Sequence, residues 1–320
     1  MPKVTPFSES QNDSFLDKLA QLSPLPYKPD IKPVPGADLG KLKKRAKARW
    51  FTQTYLQHLI NLDSPLKKSY TNTVFCCHTL YQKDDKITSR YCNNRWCIVC
   101  NRIRIGKAIN GYLPQMKEFT EPYFLTLTIP NVKGSDLRAT IGGMTKVWRL
   151  LYKSLKKRSI TLTGIRKTEC TYNPEEDTYH PHFHLIVDGR QLGDEIIAGW
   201  MARYPTANLK AQDMRVADEG SMIELFKYFT KLISKEKLYI PALDVIFQAM
   251  AGLRVFQPFG IQKVSEEVEE LKAEVIDGID PGETFWEWLD WDWIESTTNK
   301  PLTGHVPTQK MLEIAENVIF

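Results

Sequence analysis

The clearest alternation of apolar and polar positions lies in the middle of the chain and predicts strands with a helix between them. The segment FLTLTIPNV, from Phe124 to Val132, alternates as a strand does, and Pro130 bounds it. From about Asp136 to Lys157 the apolar residues follow helical spacing, namely Leu137, Ile141, Met144, Val147, Trp148 and Leu151. A strand from Gly164 to Tyr172, a polar turn (NPEEDT) and a strand through HPHFHLIV then predict an antiparallel hairpin.

Two more helices are predicted after this hairpin, near Gly193–Tyr204 and over Met222–Lys235. The second has a buried stripe of Leu225, Phe229, Leu232 and Ile233. Helices mixed with an adjacent hairpin favour an α+β fold with an antiparallel sheet over a doubly wound parallel one.

The pattern also divides the chain into four regions. Residues 1–40 are rich in Pro, Ser and Asp and predict a flexible arm. Residues 41–115 hold a basic helix and a cysteine module, and residues 116–240 hold the central domain. Residues 241–320 begin with helical character and continue into an acidic, tryptophan-rich region.

Net charge changes the picture because it is unevenly distributed. The 320-residue chain carries +5, but Ser265–Thr298 holds twelve acids and one base, so the remainder carries +16. A strongly basic body is typical of proteins that bind a polyanion, although a solvated Lys/Arg surface has the same composition.

The densest basic stretch, KLKKRAKARW, is a candidate for contacts with DNA phosphates. Its basic residues are Lys41, Lys43, Lys44, Arg45, Lys47 and Arg49. A plain charged helix face is the alternative. No apolar run is long enough to span a membrane, and the polar N-terminus lacks a signal-peptide core, so we expect a cytoplasmic protein.

Five of the six cysteines lie within 25 residues, with C-x4-C-x2-C spacing at the end. Cys92, Cys97 and Cys100 are candidates for three ligands of a structural zinc ion, and Cys76 or Cys77 for the fourth. His78 is a weaker candidate. Disulfides or buried thiols are the alternatives, but disulfides need an oxidising compartment, to which nothing here directs the chain.

Three of the six histidines fall within His180–His184. Residues two apart on a strand share a face, so His182 and His184 project together while Phe183 enters the core. Two imidazoles side by side can bind a divalent metal ion, although a solvated pair is the alternative.

The preceding strand carries Glu169, which the hairpin can bring beside the two imidazoles. His, His and carboxylate leave open positions suited to Mg or Mn acting as a Lewis acid. The competing ligands are Glu175, Glu176 and Asp177 in the turn, and His180 two residues ahead.

The helix SMIELFKYFTKLISK presents Glu224, Tyr228 and Lys231 on one face. These residues form a candidate phosphoryl-transfer set, in which the phenol attacks phosphorus and the carboxylate later acts as a base on a second nucleophile. The ammonium either stabilises charge on the phosphate or helps to lower the pKa of the phenol. Alternatively, Ser221 and Glu224 form a capping box that fixes the helix start.

In this order and spacing, four segments resemble the single-tyrosine rolling-circle replication initiators of small bacterial plasmids, within the HUH endonuclease superfamily. They are RYCNNRWCIVCNRIR, FLTLTIPNV, TECTYNPEEDTYHPHFHLIV and ELFKYFTK. The resemblance covers about residues 76–235 and implies a palm-like antiparallel sheet with flanking helices, preceded by a zinc-binding module. Residues 116–240 would then be the HUH nuclease domain.

The resemblance also implies a mechanism. Glu169, His182 and His184 would hold Mn or Mg at the scissile phosphate of single-stranded origin DNA. Tyr228 would form a 5′-phosphotyrosine and leave a 3′-hydroxyl that primes a host polymerase, and Glu224 would activate water to end the cycle. The sequence has no P-loop motif, so a host helicase would unwind the duplex, and a homodimer is possible.

Two alternative functions remain open at this point. One is a single-tyrosine transposase or relaxase with the same chemistry, which the cysteine segment and the E-x-x-x-Y spacing disfavour. The other is a non-catalytic zinc-ribbon DNA-binding protein, which the histidine strand and the tyrosine helix disfavour.

Overall fold

Helices and antiparallel strands are mixed along the protein, whose computed structural model describes residues 40–83, 86–226, 237–264, 274–275 and 285–320. Within these ranges the helices are α1 (Gly40–Leu59), α2 (Lys67–Val74), α3 (Ile98–Lys117), α4 (Gly134–Lys157), α5 (Arg190–Met201), α6 (Glu219–Phe226), α7 (Ile240–Met250) and α8 (Gln309–Glu316). The strands are β1 (Thr79–Lys83), β2 (Lys86–Ser89), β3 (Pro122–Thr128), β4 (Gly164–Asn173), β5 (Thr178–Asp188), β6 (Asp213–Val216), β7 (Leu238–Tyr239), β8 (Phe256–Phe259), β9 (Glu274–Val275), β10 (Phe285–Leu289), β11 (Asp292–Glu295) and β12 (Val318–Ile319). The predicted α+β class is confirmed; the arm over residues 1–39 lies outside the described residues.

A five-stranded antiparallel sheet in the order β6-β3-β5-β4-β8 forms the centre. The predicted hairpin is confirmed, since β4 pairs with β5 from Gly164↔Val187 to Asn173↔Thr178. The turn between them contains Asp177 at a positive φ of 48°. Aspartate tolerates this conformation better than most residues, which suits it to the turn.

The two faces of the central sheet are covered by different helices. Phe183, Leu185 and Val187 of β5 lie in one core with residues of α5 and with Met144, Trp148, Leu151 and Leu155 of α4, whereas Leu137 and Ile141 of α4 belong to a second core. Ile186 points to the opposite face and joins this second core, which includes residues of α3, α6 and α7. The two histidines of β5 lie on this second face because they alternate with Phe183 and Leu185.

A second antiparallel sheet surrounds the cysteines in the order β11-β10-β1-β2-β9. The tryptophan-rich segment forms the hairpin of β10 and β11, and β10 pairs with β1 through Leu80↔Trp286. Trp286, Trp288 and Trp293 are buried in one apolar cluster with the cysteines. Residues 241–320 therefore contribute β8 to the central sheet and this hairpin to the second one, and the four-region division remains a prediction.

Some element limits differ from the predicted ones for local reasons. The first strand ends at Thr128 rather than Val132, although Val132 forms an isolated bridge with Tyr179. Helix α5 begins at Arg190 rather than near Gly193, because Gly189 at φ 103° allows an abrupt change from strand to helix. The basic stretch and the segment after it form the single helix α1.

Candidate metal centres

Three adjacent strands bring the predicted histidine–carboxylate set together. Glu169 of β4 is directly opposite His182 of β5, and Thr126 of β3 is directly opposite His184. Residues directly opposite each other project to the same face, so the carboxylate and both imidazoles share it. The exposed fractions of the three side chains lie between 9% and 15%, so each is largely buried but reachable from solvent.

The three candidate ligand atoms converge on one point. The Oε2 atom of Glu169 lies 3.2 Å from Nε2 of His182 and 3.0 Å from Nε2 of His184, and the two Nε2 atoms are 3.1 Å apart. In octahedral coordination at Mg–ligand distances of 2.0–2.1 Å, neighbouring ligand atoms are about 3.0 Å apart. This triangle therefore fits one face of an octahedron around a divalent ion.

Hydrogen bonds on the far sides of the rings support this role. Nδ1 of His182 is 3.0 Å from the His180 carbonyl oxygen, which can only accept, so Nδ1 carries a proton and Nε2 is the nitrogen available to a metal ion. Nδ1 of His184 lies 3.1 Å from the Thr126 hydroxyl. Such partners hold a ligating imidazole in its tautomer and orientation. His180 and the turn acids are not in this group of three.

Charge around Glu169 favours the ionised carboxylate. Burial alone would raise the pKa of Glu169, but hydrogen bonds with His182 and His184 and the charge of Lys167 outweigh it and lower the pKa. Lys167 is 1% exposed, and its ammonium contacts Oε1 of Glu169, the oxygen that faces away from the imidazoles. Burial lowers the pKa of His184, which favours the neutral ring that a metal needs.

Helix α6 covers the same face of the sheet beside this site. Its last described residue, Phe226, has its ring centroid 5.5 Å from that of Phe256, and Phe256 is opposite Lys167 in the β4–β8 register. Phe226 also stacks on Tyr112 of α3 at 6.1 Å. Tyr228 and Lys231 lie outside the described residues, so their predicted roles stay predictions.

The capping-box interpretation of Ser221 and Glu224 is not what the helix shows. Helix α6 begins at Glu219, and the Asp218 carboxylate accepts from the Ser221 backbone N–H and hydroxyl, both at 2.7 Å. Asp218 therefore caps the helix, and Ser221 lies within its first turn. Glu224 is half-buried on α6.

Four of the five clustered cysteines form a second convergent group. The sulfur atoms of Cys76, Cys92, Cys97 and Cys100 all lie within 4.8 Å of one another. The Cys76 sulfur is 3.5 Å from those of Cys97 and Cys100, and the Cys92 and Cys100 sulfurs are 3.7 Å apart. Sulfur atoms in a zinc tetrahedron with 2.3 Å bonds are about 3.8 Å apart, so the group fits structural zinc.

The remaining zinc candidates lie outside this group. Cys77 is buried with a positive φ of 57°, and its carbonyl oxygen accepts from the Trp293 indole N–H at 2.9 Å. His78 has its Nδ1 atom 3.1 Å from the Arg49 guanidinium, and burial with the Arg49 charge lowers its pKa to about 4. Cys76 is therefore the residue that completes the four-sulfur group.

The basic residues of α1 separate into two kinds. Lys41, Lys43, Lys44 and Lys47 are exposed, which suits the predicted contacts with phosphates. Arg45 and Arg49 are buried, and they were wrong as DNA contacts. Arg45 donates to the Tyr91 hydroxyl at 2.9 Å, and Arg49 donates to the Cys76 carbonyl and lies over the Trp288 ring at 5.1 Å.

Two features were missed in the sequence. Lys167 is two residues from Glu169, so strand parity alone places both on one face, and this signal was available. The tryptophan hairpin that closes the cysteine cluster gave no comparable local signal.

Comparison with known proteins relates the middle of the chain to one family. Residues 85–188 match the sequence pattern of the replication protein family. Over this segment the chain is similar to the replication protein family. The matched segment includes three of the four clustered cysteines, His182, His184 and Glu169, and it ends before α6. The resemblance drawn from the motifs is thus confirmed over this segment.

Curated relatives named Protein rep agree with this assignment. A Bacillus amyloliquefaciens protein is 36% identical over 124 residues, 35% of this chain and 37% of the relative. A Staphylococcus aureus protein is 32% identical over 118 residues, 35% and 52% of the two chains, and a Streptococcus pneumoniae protein is 34% identical over 107 residues, 30% and 32%. The matched parts are therefore about a third to a half of the length of these relatives. No solved structure matches the chain. Among the described residues, no helix has the length and apolarity to cross a bilayer.

Proposed function

We propose that this protein is a plasmid replication initiator that nicks and rejoins single-stranded origin DNA. The observation that carries the proposal is the convergence of Glu169, His182 and His184 on the sheet face that also packs α6. This helix ends in the described structure at Phe226, two positions before Tyr228 in the sequence. The similarity of residues 85–188 to the replication protein family supports the same function.

Glu169, His182 and His184 would hold Mn or Mg. When bound, the ion would polarise a non-bridging oxygen of the scissile phosphate. Lys167 holds Oε1 of Glu169, so that Oε2 remains directed toward the imidazoles. Both Nε2 atoms lie within 3.2 Å of Oε2 of Glu169, and the site therefore needs little reorganisation to receive a cation.

In the proposed cleavage, the Tyr228 phenol oxygen attacks phosphorus and the bond from phosphorus to the 3′-oxygen breaks. The phenol loses its proton as it attacks, and the downstream fragment stays attached to Tyr228 through its 5′-phosphate. The 3′-oxygen released on the upstream fragment takes up a proton and becomes the primer end for a host polymerase. Lys231 would stabilise charge on the phosphate. Glu224 would later accept a proton from water when the phosphotyrosine is hydrolysed.

The rest of the molecule would bind DNA and maintain the fold. Cys76, Cys92, Cys97 and Cys100 would hold a structural zinc ion. The exposed lysines of α1 would bind DNA phosphates without reading sequence. Unwinding would fall to a host helicase, and two copies of the chain can act together at an origin.

The decisive test is covalent capture. We expect the protein, incubated with Mn and a pool of single-stranded 60-mers of random sequence, to give an SDS-resistant adduct joined at the DNA 5′ end. Tyr228→Phe should abolish the adduct and retain reversible DNA binding, because only the nucleophilic oxygen is lost. Tyr81→Phe is the control, since Tyr81 is a 44% exposed tyrosine of β1, away from the central sheet. Reversible shifts alone from the wild-type protein would favour the non-catalytic DNA-binding alternative.

A second variant separates cleavage from termination. Glu224→Ala should still form the adduct but release it more slowly, since the carboxylate would act on water after the strand is cut. The measurement is the decay of purified adduct over time. A loss of thermal stability with unchanged decay would assign Glu224 a structural role instead.

A further inference from the structure

Edge strand β6 places a positively charged side chain beside the histidine–carboxylate site. In the register of β3, Thr126 is opposite both His184 and Asp213, and Phe124 is opposite Arg215. Arg215 and Asp213 therefore project to the same face of the sheet as His184. Both side chains are about half exposed, at 54% and 51%.

Aromatic contacts connect Arg215 to the candidate metal ligands. The Arg215 guanidinium carbon lies 4.5 Å from the centroid of the Phe124 ring. That ring lies 5.2 Å from the His184 imidazole. A single aromatic ring thus separates the guanidinium from a candidate ligand, and stacking on this ring fixes its plane.

Within the described residues, the side of the site away from β6 is buried by neighbouring side chains. On the β4 side, Lys167 is 1% and Phe256 is 6% exposed. Next to them, Leu225 and Phe226 of α6 are buried in the same core. Strand β6 is an exposed edge next to the site, so a strand of DNA that reaches His184 from this edge passes over Arg215.

The existing partner of Arg215 does not prevent phosphate binding. Its Nη1 atom is 3.1 Å from Oδ2 of Asp213. An exposed ion pair of this kind contributes little to stability and is screened by salt. A guanidinium also offers several fixed donors, so it can bind a phosphate bidentately and exchange or share the carboxylate.

We propose that Arg215 binds a backbone phosphate of the single strand next to the scissile phosphate, and so positions the strand over the metal site. The inference rests on the proposed function for the identity of the ligand. Arg215 is a positioning residue in this account, because it acts on the reacting phosphate through the neighbouring nucleotide.

The test uses fluorescence anisotropy of a fluorescein-labelled 20-nucleotide oligothymidylate, measured without metal over a range of salt concentrations. Arg215→Ala should weaken binding on the order of tenfold, the loss expected for one charge-assisted contact. Loss of one phosphate contact should also reduce the magnitude of the slope of log K against log salt by about 0.7. Arg215→Lys should retain the wild-type slope and bind more tightly than Arg215→Ala, because lysine keeps the positive charge. It should bind less tightly than the wild-type protein, because lysine lacks the planar set of guanidinium donors.

A matched control comes from the opposite side of the sheet. Arg158 follows α4, is 55% exposed and pairs with Glu195 at 2.7 Å, so Arg158→Ala removes a similar exposed, paired guanidinium. We expect its binding constant and slope to equal those of the wild-type protein. The inference would be overturned if both variants lost the same amount of DNA affinity. It would also be overturned if Arg215→Ala kept the wild-type binding constant, slope and melting temperature.

The adduct assay separates this inference from the proposed function. With wild-type protein forming the adduct, Arg215→Ala should raise the DNA concentration for half-maximal rate far more than it lowers the maximal rate. An unaltered concentration dependence would remove the positioning role and leave the nuclease intact. A wild-type protein that forms no adduct, with the Arg215→Ala slope still reduced, would instead overturn the nuclease and retain the phosphate contact.

Discussion

Lys167 is almost fully buried, yet its ammonium ends against a carboxylate on the face that carries the histidines. Its neighbour Arg166 is equally buried but points to the other face, where its guanidinium lies 4.0 Å from the centroid of the Phe183 ring. Burying a cation is costly unless it is paired. The pairing of Lys167 with Glu169 therefore supports both the fold and the orientation of a candidate ligand.

Lys167→Met should lower the affinity of the site for Mn by about 10- to 100-fold, the range typical for loss of a partner of a metal ligand. The physical reason is that Oε1 of Glu169 loses its cationic neighbour and the carboxylate is free to rotate. Titration with Mn followed by electron paramagnetic resonance or calorimetry measures the change. Arg166→Met is the control, because it removes an adjacent buried cation from the opposite face and should leave Mn affinity unchanged.

Cys76 and Cys77 are adjacent in the sequence, but we expect them to differ in zinc binding. Cys76→Ser should remove one of the four converging sulfurs and lower bound zinc below one equivalent, with a fall in melting temperature. Cys77→Ser should retain zinc, because the Cys77 sulfur lies outside the group. Metal content after gel filtration against a chelator measures both. Equal zinc loss from the two variants would refute the assignment of Cys76 as the fourth ligand.

At the scale of elements, α6 packs on the sheet face that carries Glu169, His182 and His184. Its described part, Glu219–Phe226, buries Met222, Leu225 and Phe226. Packing of Met222, Leu225 and Phe226 against the sheet core therefore holds it in place. Apolar contacts beside the candidate site thus control the position of the helix.

Phe226→Ala should cost about 3–5 kcal/mol of stability and also reduce adduct formation, because the helix loses its contacts with Phe256 and Tyr112. Phe247→Ala is a matched control, since Phe247 is also fully buried but packs on Tyr55, Tyr70 and Trp96. Urea unfolding gives the stabilities, and adduct yield is compared at a temperature where both variants are folded. Equal adduct yields would show that α6 does not position the nucleophile.

At the scale of the whole molecule, distant parts of the chain complete each other. The β10–β11 hairpin covers the cysteines from about 200 residues away in sequence, with the Trp293 indole donating to the Cys77 carbonyl. The Tyr70 hydroxyl donates to Asp244 of α7 at 2.6 Å, which joins the N-terminal helices to α7. The cysteine module is therefore not assembled from the N-terminal sequence alone.

Trp293→Ala should destabilise the protein by about 3–5 kcal/mol and speed the loss of zinc to a chelator, since it opens a cavity beside the cysteines. Leu289→Ala in the same hairpin should change neither, because Leu289 is 58% exposed. Denaturant unfolding and a colorimetric zinc-release assay test the pair. Zinc release at the wild-type rate from a folded Trp293→Ala variant would contradict a role of the hairpin in the module.

The sequence by itself determined the features that depend on near neighbours. Strand parity set His182 and His184 on one face, helical spacing gave α4, and the polar turn gave the β4–β5 hairpin with Glu169 opposite His182. These features can be predicted from the sequence because strands and helices have fixed side-chain periods, which are visible within a short segment.

Only the tertiary structure distinguished residues and segments that look equivalent in the sequence. It selected Cys76 over Cys77, turned Arg45 and Arg49 inward while the lysines of α1 stayed exposed, and closed the cysteine cluster with a C-terminal hairpin. The physical reason is that these outcomes depend on packing between segments far apart in sequence, where no local period distinguishes the alternatives.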